Sequence, residues 1–208
     1  MAAAAARYLY LTRHGEASSD ESRLTGNGRR QATLLGERLR RTPLRAVHHG
    51  PLPRAEETAR LIHGRLDGVA PPQSAEPAGD YVPYLPQRAE LPPESADAML
   101  ERLARFPGEE RERGPELARA AVARFTGPVE GDEPRHELVV THNFLIGWLV
   151  RAALDAPKWR WMGLNHAHAA LTVIRYAPGR PAAVLCYNDL GHLPGDLRWT
   201  GFPAELHI

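Results

Sequence analysis

The 208-residue chain has one cysteine, Cys186, and one lysine, Lys158. A single cysteine excludes an intrachain disulfide. In the run Leu185-Cys186-Tyr187 it reads as a buried, inert thiol on a strand. No segment reaches the roughly 18 uninterrupted apolar residues of a membrane-crossing helix. The stretch Tyr8-Leu9-Tyr10-Leu11 is too short for that and reads as a first strand. Met1 to Ala6 lacks the charged start and long apolar run of a signal peptide. A cytoplasmic protein with no membrane partner is expected. Excess charge is missing too: 26 Lys plus Arg against 25 Asp plus Glu leave a formal net charge of +1. That argues against a broad basic face for nucleic acid. The local cluster Arg38, Arg40, Arg41 and Arg45 has no interleaved aromatic side chains on which bases could stack.

What is present is ordinary globular composition, 43% hydrophobic and 25% charged. The length suits one domain, residues 1–208, with room for an insertion. With a single lysine, 25 of the 26 cations are arginines. GC-rich codon usage accounts for most of them. A guanidinium fork, however, binds phosphate in a planar, bidentate way that an ammonium does not. The question is which arginines do so.

The order of elements is strand–helix–strand–helix at the start. Tyr8 to Thr12 reads as strand. The helix near Gly28 is capped by Thr25, carries Ala32, Leu34, Leu35 and Leu39, and is ended by Pro43. Leu44 to His48 is a second strand and Leu52 to Leu66 a second helix. That alternation predicts an α/β fold: a mostly parallel central sheet with helices on both faces. Residues 71–93 hold seven of the 19 prolines. They are either a disordered linker or an ordered loop over a site, and Tyr81, Val82, Tyr84 and Leu85 favour the loop because they want burial. Helices follow over Ser95–Phe106 and Glu112–Phe125, with the charge run 109–113 as a solvated turn or helix start. The 71–130 region is expected to cap the site. Glu137 to Thr141 is a buried strand, followed by a helix from Phe144 to Leu154. Ala169–Tyr176 and Ala182–Tyr187 read as two more strands.

Three constellations carry chemistry. Arg13-His14-Gly15-Glu16 ends the first strand, and ligands of parallel sheets sit outside the carboxyl ends of strands. Pro51-Leu52-Pro53-Arg54-Ala55 puts Arg54 at a helix start, beside free backbone N–H groups that favour an anion; the other reading is an ordinary surface arginine, one of 25. Val140-Thr141-His142-Asn143 repeats the strand-end histidine. On a doubly wound sheet, both histidines and both arginines converge.

These stretches, together with Leu24-Thr25…Gly28-Arg29-Arg30-Gln31-Ala32, resemble the histidine phosphatase superfamily, the phosphoglycerate-mutase-like three-layer fold. The resemblance spans roughly Tyr8–Leu66 and Leu138–Leu193. It implies a metal-independent phosphomonoester hydrolase with no cofactor. His14 would be the nucleophile that becomes a phosphohistidine. Arg13, Arg54, His142 and Asn143, at the start of the following helix, would hold the phosphoryl group, with His142 protonated. The family's acid lies after the third strand. Gly79-Asp80-Tyr81-Val82-Pro83 resembles the Glu-bearing loop of the mitochondrial mutase-like protein phosphatases with Asp in place of Glu, so Asp80 is preferred and Glu76 is the alternative. The long insertion of true mutases is absent, which favours phosphatase over a mutase-type phosphotransferase. A phospho-ligand binder without chemistry is the other alternative. The expected partner is a small phosphomonoester or a phosphoprotein, and the expected state is monomer or homodimer. Tyr81, Tyr84 and Leu85 are expected to meet the leaving group, and Trp159 and Trp161 to lie elsewhere. His166, His168 and His192 lack fixed metal-ligand spacing and read as structural.

Overall fold

The computed structural model describes residues 3–208. A six-stranded sheet divides it. The strands are β1 (Arg7–Arg13), β2 (Leu44–His49), β3 (Gln73–Ser74), β4 (Arg135–Thr141), β5 (Leu171–Tyr176) and β6 (Ala183–Asp189). Their spatial order is β3-β2-β4-β1-β5-β6. The neighbours β3, β2, β4 and β1 are parallel, while β5 runs antiparallel to β1 and β6. A separate two-stranded ribbon pairs Ala4–Ala5 with Val129–Glu130.

The helices are α1 (Gly26–Leu39), α2 (Pro53–His63), α3 (Ala96–Ala104), α4 (Gly108–Phe125) and α5 (Asn143–Ala153). Strand alternation sorts them into layers. Leu138 and Val140 face one way, onto Leu35 and Leu39 of α1 and Ala59 and Ile62 of α2. Val139, with Leu9 and Leu11, faces the other way, onto Ala118 and Phe125 of α4 and Leu145 and Leu149 of α5. The result is the expected three-layer α/β sandwich.

Boundaries moved for local reasons. The Thr25 hydroxyl accepts from the Gly28 N–H at 3.0 Å and caps α1, which ends before Pro43. Helix α4 begins at Gly108, four residues earlier than its apolar pattern suggests. The charge run 109–113 is therefore its first turns, with Glu109 and Glu110 at the positive helix end. The short β3 escapes any periodicity argument because two residues carry none.

The proline-rich segment is an ordered loop. Ala75 N–H donates to His49 C=O at 2.8 Å, and the Thr141 hydroxyl donates to Ala78 C=O at 2.7 Å. Helix α4 lies so close that a Cβ on Gly114 would sit 2.0 Å from the Val82 carbonyl oxygen. Only glycine permits that contact. It presses residues 81–83 into place directly after Asp80. Helix α4 thus serves twice: its middle and end fill the core, and its start, with the end of α3, stands over the sheet's carboxyl edge.

Candidate active site

At the carboxyl ends of β1 and β4, strand pairing brings Arg13 beside Thr141, so His14 and His142 leave the sheet as neighbours. The His14 N–H donates to Thr141 C=O at 3.0 Å. The next N–H, that of Gly15, donates to the Thr58 hydroxyl on α2 at 3.0 Å. Gly15 and Gly28 touch there, and a Cβ on Gly15 would lie 2.4 Å from Gly28 C=O. These ties fix the first constellation to the start of α1 and to α2, and α2 carries Arg54.

The crevice above these ends has a volume of about 580 Å³ and is lined by Arg13, His14, Glu21, Asp80, Glu110 and His142, among others. His14 and His142 are 3% and 1% exposed, with ring centroids 5.1 Å apart. His14 Nδ1 lies 2.8 Å from its neighbour's carbonyl, Gly15 C=O. Its Nε2 lies 3.1 Å from Arg54 Nε. An arginine N–H only donates, so Nε2 must accept, and the ring proton is on Nδ1. His14 is thereby a neutral imidazole with its Nε2 lone pair turned to Arg54. Burial, then the neighbouring His142 ring, which could not stay protonated beside a second cation, and the Arg13 charge hold its pKa well below the usual value.

Arg54 is 6% exposed and sits at the centre of the charges. Its Nη2 lies 2.9 Å from Asp80 Oδ2 and 3.0 Å from Glu21 Oε2. Arg13 is anchored differently. Its Nη1 donates to the carbonyls of His166, at 3.0 Å, and Gly201, at 2.6 Å. Its Nε is buried without a partner. Burial lowers its pKa to about 10, which leaves it charged at neutral pH.

Both ring nitrogens of His142 are buried without a hydrogen bond, the nearer acid being Asp80 with Oδ2 3.4 Å from Nδ1. Burial, with Arg54 and Arg13 alongside, pushes its pKa well below the usual value. In the phosphate-free crevice that shift favours the neutral ring, whereas the expectation of a protonated His142 concerns a ring that holds a phosphoryl group. The Asp80 side chain is 38% exposed, but to a recess walled by protein. Loss of hydration raises its pKa, against the pull of Arg54 and Arg13.

Of the residues expected from sequence, Arg13, His14, Arg54, Asp80 and His142 meet. Asn143 lines the same crevice, but its side-chain oxygen accepts from His166 N–H at 2.6 Å, so it ties α5 to the 165–166 segment. Glu76 does not come in. It is 64% exposed and paired with Arg113 at 2.9 Å. Tyr81 and Tyr84 also turn away: the Tyr81 hydroxyl donates to Pro77 C=O, and Tyr84 stacks on Trp148. The tail histidines separate. His166 bonds Thr172, His192 faces Arg38, and His168 packs on His14 with centroids 5.2 Å apart.

Several site residues have no sequence motif. Glu21 reaches Arg54 from a turn in which it adopts a φ of 57°, a left-handed conformation rare outside glycine. Glu110 enters from the first turn of α4; burial and the charges of Asp80 and Glu109 raise its pKa. Beside the crevice is an apolar recess of about 240 Å³, walled by Met99, Leu103, Phe106, Phe144, Trp161 and Met162. Trp161 was expected away from the site; it lies at its margin.

Residues 9–189 match the family model of the histidine phosphatase superfamily, branch 1. The chain belongs to this superfamily. It is 28% identical over 205 residues to the mitochondrial serine/threonine-protein phosphatase Pgam5 of Caenorhabditis briggsae, covering 95% of this chain and 69% of that relative. Among solved structures it resembles YhfR of Bacillus stearothermophilus, with a TM-score of 0.63 and 26% identity over 89% of this chain and 98% of that one. A phosphoglycerate mutase from Plasmodium falciparum shares the fold, with a TM-score of 0.60 and 18% identity over 92% and 96% of the two chains. Phosphatase relatives and the mutase-like fold are thus both established for this chain.

Proposed function

We propose that the protein is a phosphomonoester hydrolase that works through a phosphohistidine on His14 and needs no metal. The observation that carries this reading is the pair of contacts made by the His14 ring nitrogens, which fixes its tautomer. The Gly15 carbonyl at 2.8 Å holds the Nδ1 proton, and the Nε2 lone pair faces the crevice under Arg54 Nε. A phosphoryl group entering there takes the Arg54 N–H onto its own oxygen and uncovers the lone pair. Arg13 Nε and the His142 ring nitrogens, which line the crevice and are buried without partners, then gain acceptors. A dianionic phosphate also favours a protonated His142, reversing the field that now disfavours it.

In the first step Nε2 attacks phosphorus and the ester P–O bond breaks. The leaving oxygen takes a proton from Asp80, whose raised pKa suits that task. The departing alcohol is neutral. In the second step Asp80, now a carboxylate, takes a proton from water. The oxygen attacks phosphorus, the P–N bond breaks, and its electron pair returns to Nε2. Inorganic phosphate leaves, and Asp80 holds a proton again. Arg13 and Arg54 neutralise the oxygens in both steps.

The test is an acid-labile, base-stable phosphoenzyme. Quenching turnover of a ³²P-labelled monoester with alkali should trap label on His14, and chelator should leave the rate unchanged. Turnover without trappable label in the unaltered enzyme, together with undiminished activity in His14→Ala, would sink the mechanism.

A further inference from the structure

We infer that the apolar recess beside the crevice is the seat of the leaving group, and that the preferred substrate is a phosphomonoester of an uncharged alcohol bearing an aromatic ring. This rests on the hydrolase reading of the crevice and adds the substrate class.

Continuity is the first observation. Arg102, Phe106, Asn143, Phe144 and Asn165 line both the crevice and the recess, so the two adjoin and a group attached to a bound phosphoryl can extend from one into the other. Shape is the second. The recess is about 240 Å³, and an apolar cavity of roughly 150 Å³ already accepts benzene. Its walls include a chain of edge-on aromatic rings. Phe106 meets Phe144 with centroids 5.3 Å apart, and Phe144 meets Trp161 at 4.9 Å. A further ring fits such a lining by the same edge-to-face geometry.

Charge is the third observation. Beyond the arginines that would hold phosphate and the protonated acid Asp80, the crevice presents Glu21 and Glu110 against one exposed cation, Arg102. A second anionic group on the substrate meets more carboxylates than cations there. A polyanion such as a phosphorylated carboxylic acid is disfavoured, and a neutral alcohol is not.

The test uses phosphonates, which bind without being cleaved. Benzylphosphonate, methylphosphonate and phosphonoacetate are titrated into the full chain by calorimetry. Benzylphosphonate should bind about 30-fold tighter than methylphosphonate, the effect of burying one ring, and tighter than phosphonoacetate. Met99→Trp, which fills the recess, should bring the benzyl-to-methyl ratio close to one. Equal or undetectable binding of the first two, tighter binding of phosphonoacetate, or a ratio unchanged in a folded Met99→Trp overturns the assignment. Hydrolysis of benzyl phosphate against ethyl phosphate separates this proposal from the one it rests on. If neither ester is cleaved while the phosphonate ratio stands, the hydrolase reading fails and the recess assignment survives. If both are cleaved equally and the phosphonates bind alike, the recess assignment fails alone.

Discussion

The floor of the crevice, where His14, Arg54 and His142 meet, is almost wholly buried, whereas its roof, from Arg102 to Glu110, is largely exposed. The floor is held by backbone. His14 N–H is bonded to Thr141, Gly15 N–H to Thr58, and the loop before Asp80 to Thr141 and His49. The roof is held by the packing of one helix corner and by surface ion pairs such as Arg105–Glu101 and Arg113–Glu109. Pairs of that kind contribute little. Such a floor fixes atoms to within tenths of an ångström, as transition-state contacts require. Such a roof can vary without disturbing the floor, as substrate choice requires. Floor substitutions are therefore expected in kcat, and roof substitutions in KM.

The largest expected effect is at the nucleophile. His14→Ala should lower kcat by about 10⁴-fold or more while the protein still binds phosphate, because nucleophile and binding groups are separate. Retained turnover in steady-state assays would remove His14 from the chemistry. Arg54→Ala should cost about 10³-fold in kcat/KM, the scale of losing a principal donor to the transition-state oxygens. Arg54→Lys keeps the charge but loses the fork, so it should recover only part. Full recovery would show that charge alone matters on the floor.

Asp80→Asn should lower kcat by about 10²-fold for alkyl esters, which need a protonated leaving oxygen, and much less for an activated aryl ester. The sign of the pH dependence follows from the two shifts. His14 must be neutral, and its pKa is pushed down, so the acid limb of the rate profile lies below pH 6.5. Asp80 must be protonated for the first step, and its pKa is pushed up, so kcat falls as pH rises through that value. Asp80→Asn should abolish the alkaline limb and leave the acid one. An unchanged profile would move the acid elsewhere, and Glu110 is the carboxylate then to be tested.

The contrast between floor and roof also explains what could be read from sequence. Arg13-His14-Gly15 and Thr141-His142 sit at strand ends, where a buried apolar run fixes the register and chain direction fixes the edge. Arg54 follows a proline that starts α2. Each is a local pattern with one structural outcome, so the floor and the layer order were legible. Glu110, Phe106 and Trp161 belong to elements whose orientation depends on packing with residues far away in sequence, such as Gly114 on Val82. A mixed charge run looks the same whether it faces solvent or a crevice. The protonation of His142 without phosphate is illegible in the sequence for a related reason: the cost of burying a ring entirely, beside two arginines, is a property of the assembled site.

The stability of the fold should carry the mark of the floor. His166 and His168 lie beneath it, and burial lowers their pKa values to about 3 and about 2. In the unfolded chain each titrates near 6.5. The native state therefore refuses protons that the unfolded state accepts. Stability is full above pH 6.5 and falls as pH drops from there towards 3. Between pH 7 and 5 each histidine should cost about 2 kcal/mol. Denaturant midpoints measured across that interval should fall, and His166→Asn should flatten the slope. A midpoint independent of pH from 7 to 5 would mean that these rings protonate in the native state.

The smallest effect expected belongs to Glu21, which stands between the two regions. Its carboxylate shares Arg54 Nη2 with Asp80, yet the residue is exposed and reaches in from a turn. In the phosphate-free crevice it occupies a donor that phosphate needs. Glu21→Gln keeps the size and hydrogen bonding of the side chain and removes the competing charge. Substrate and inorganic phosphate should then bind about 3-fold tighter, the scale of a solvent-accessible ion pair, with kcat little altered. The decisive quantity is the inhibition constant of phosphate in parallel with KM. If both fall together, Glu21 is a counter-ion displaced on binding, and the exposed rim acts on affinity alone. If KM instead rises while the phosphate constant holds, Glu21 touches the leaving group, and the boundary between floor and roof runs on its other side.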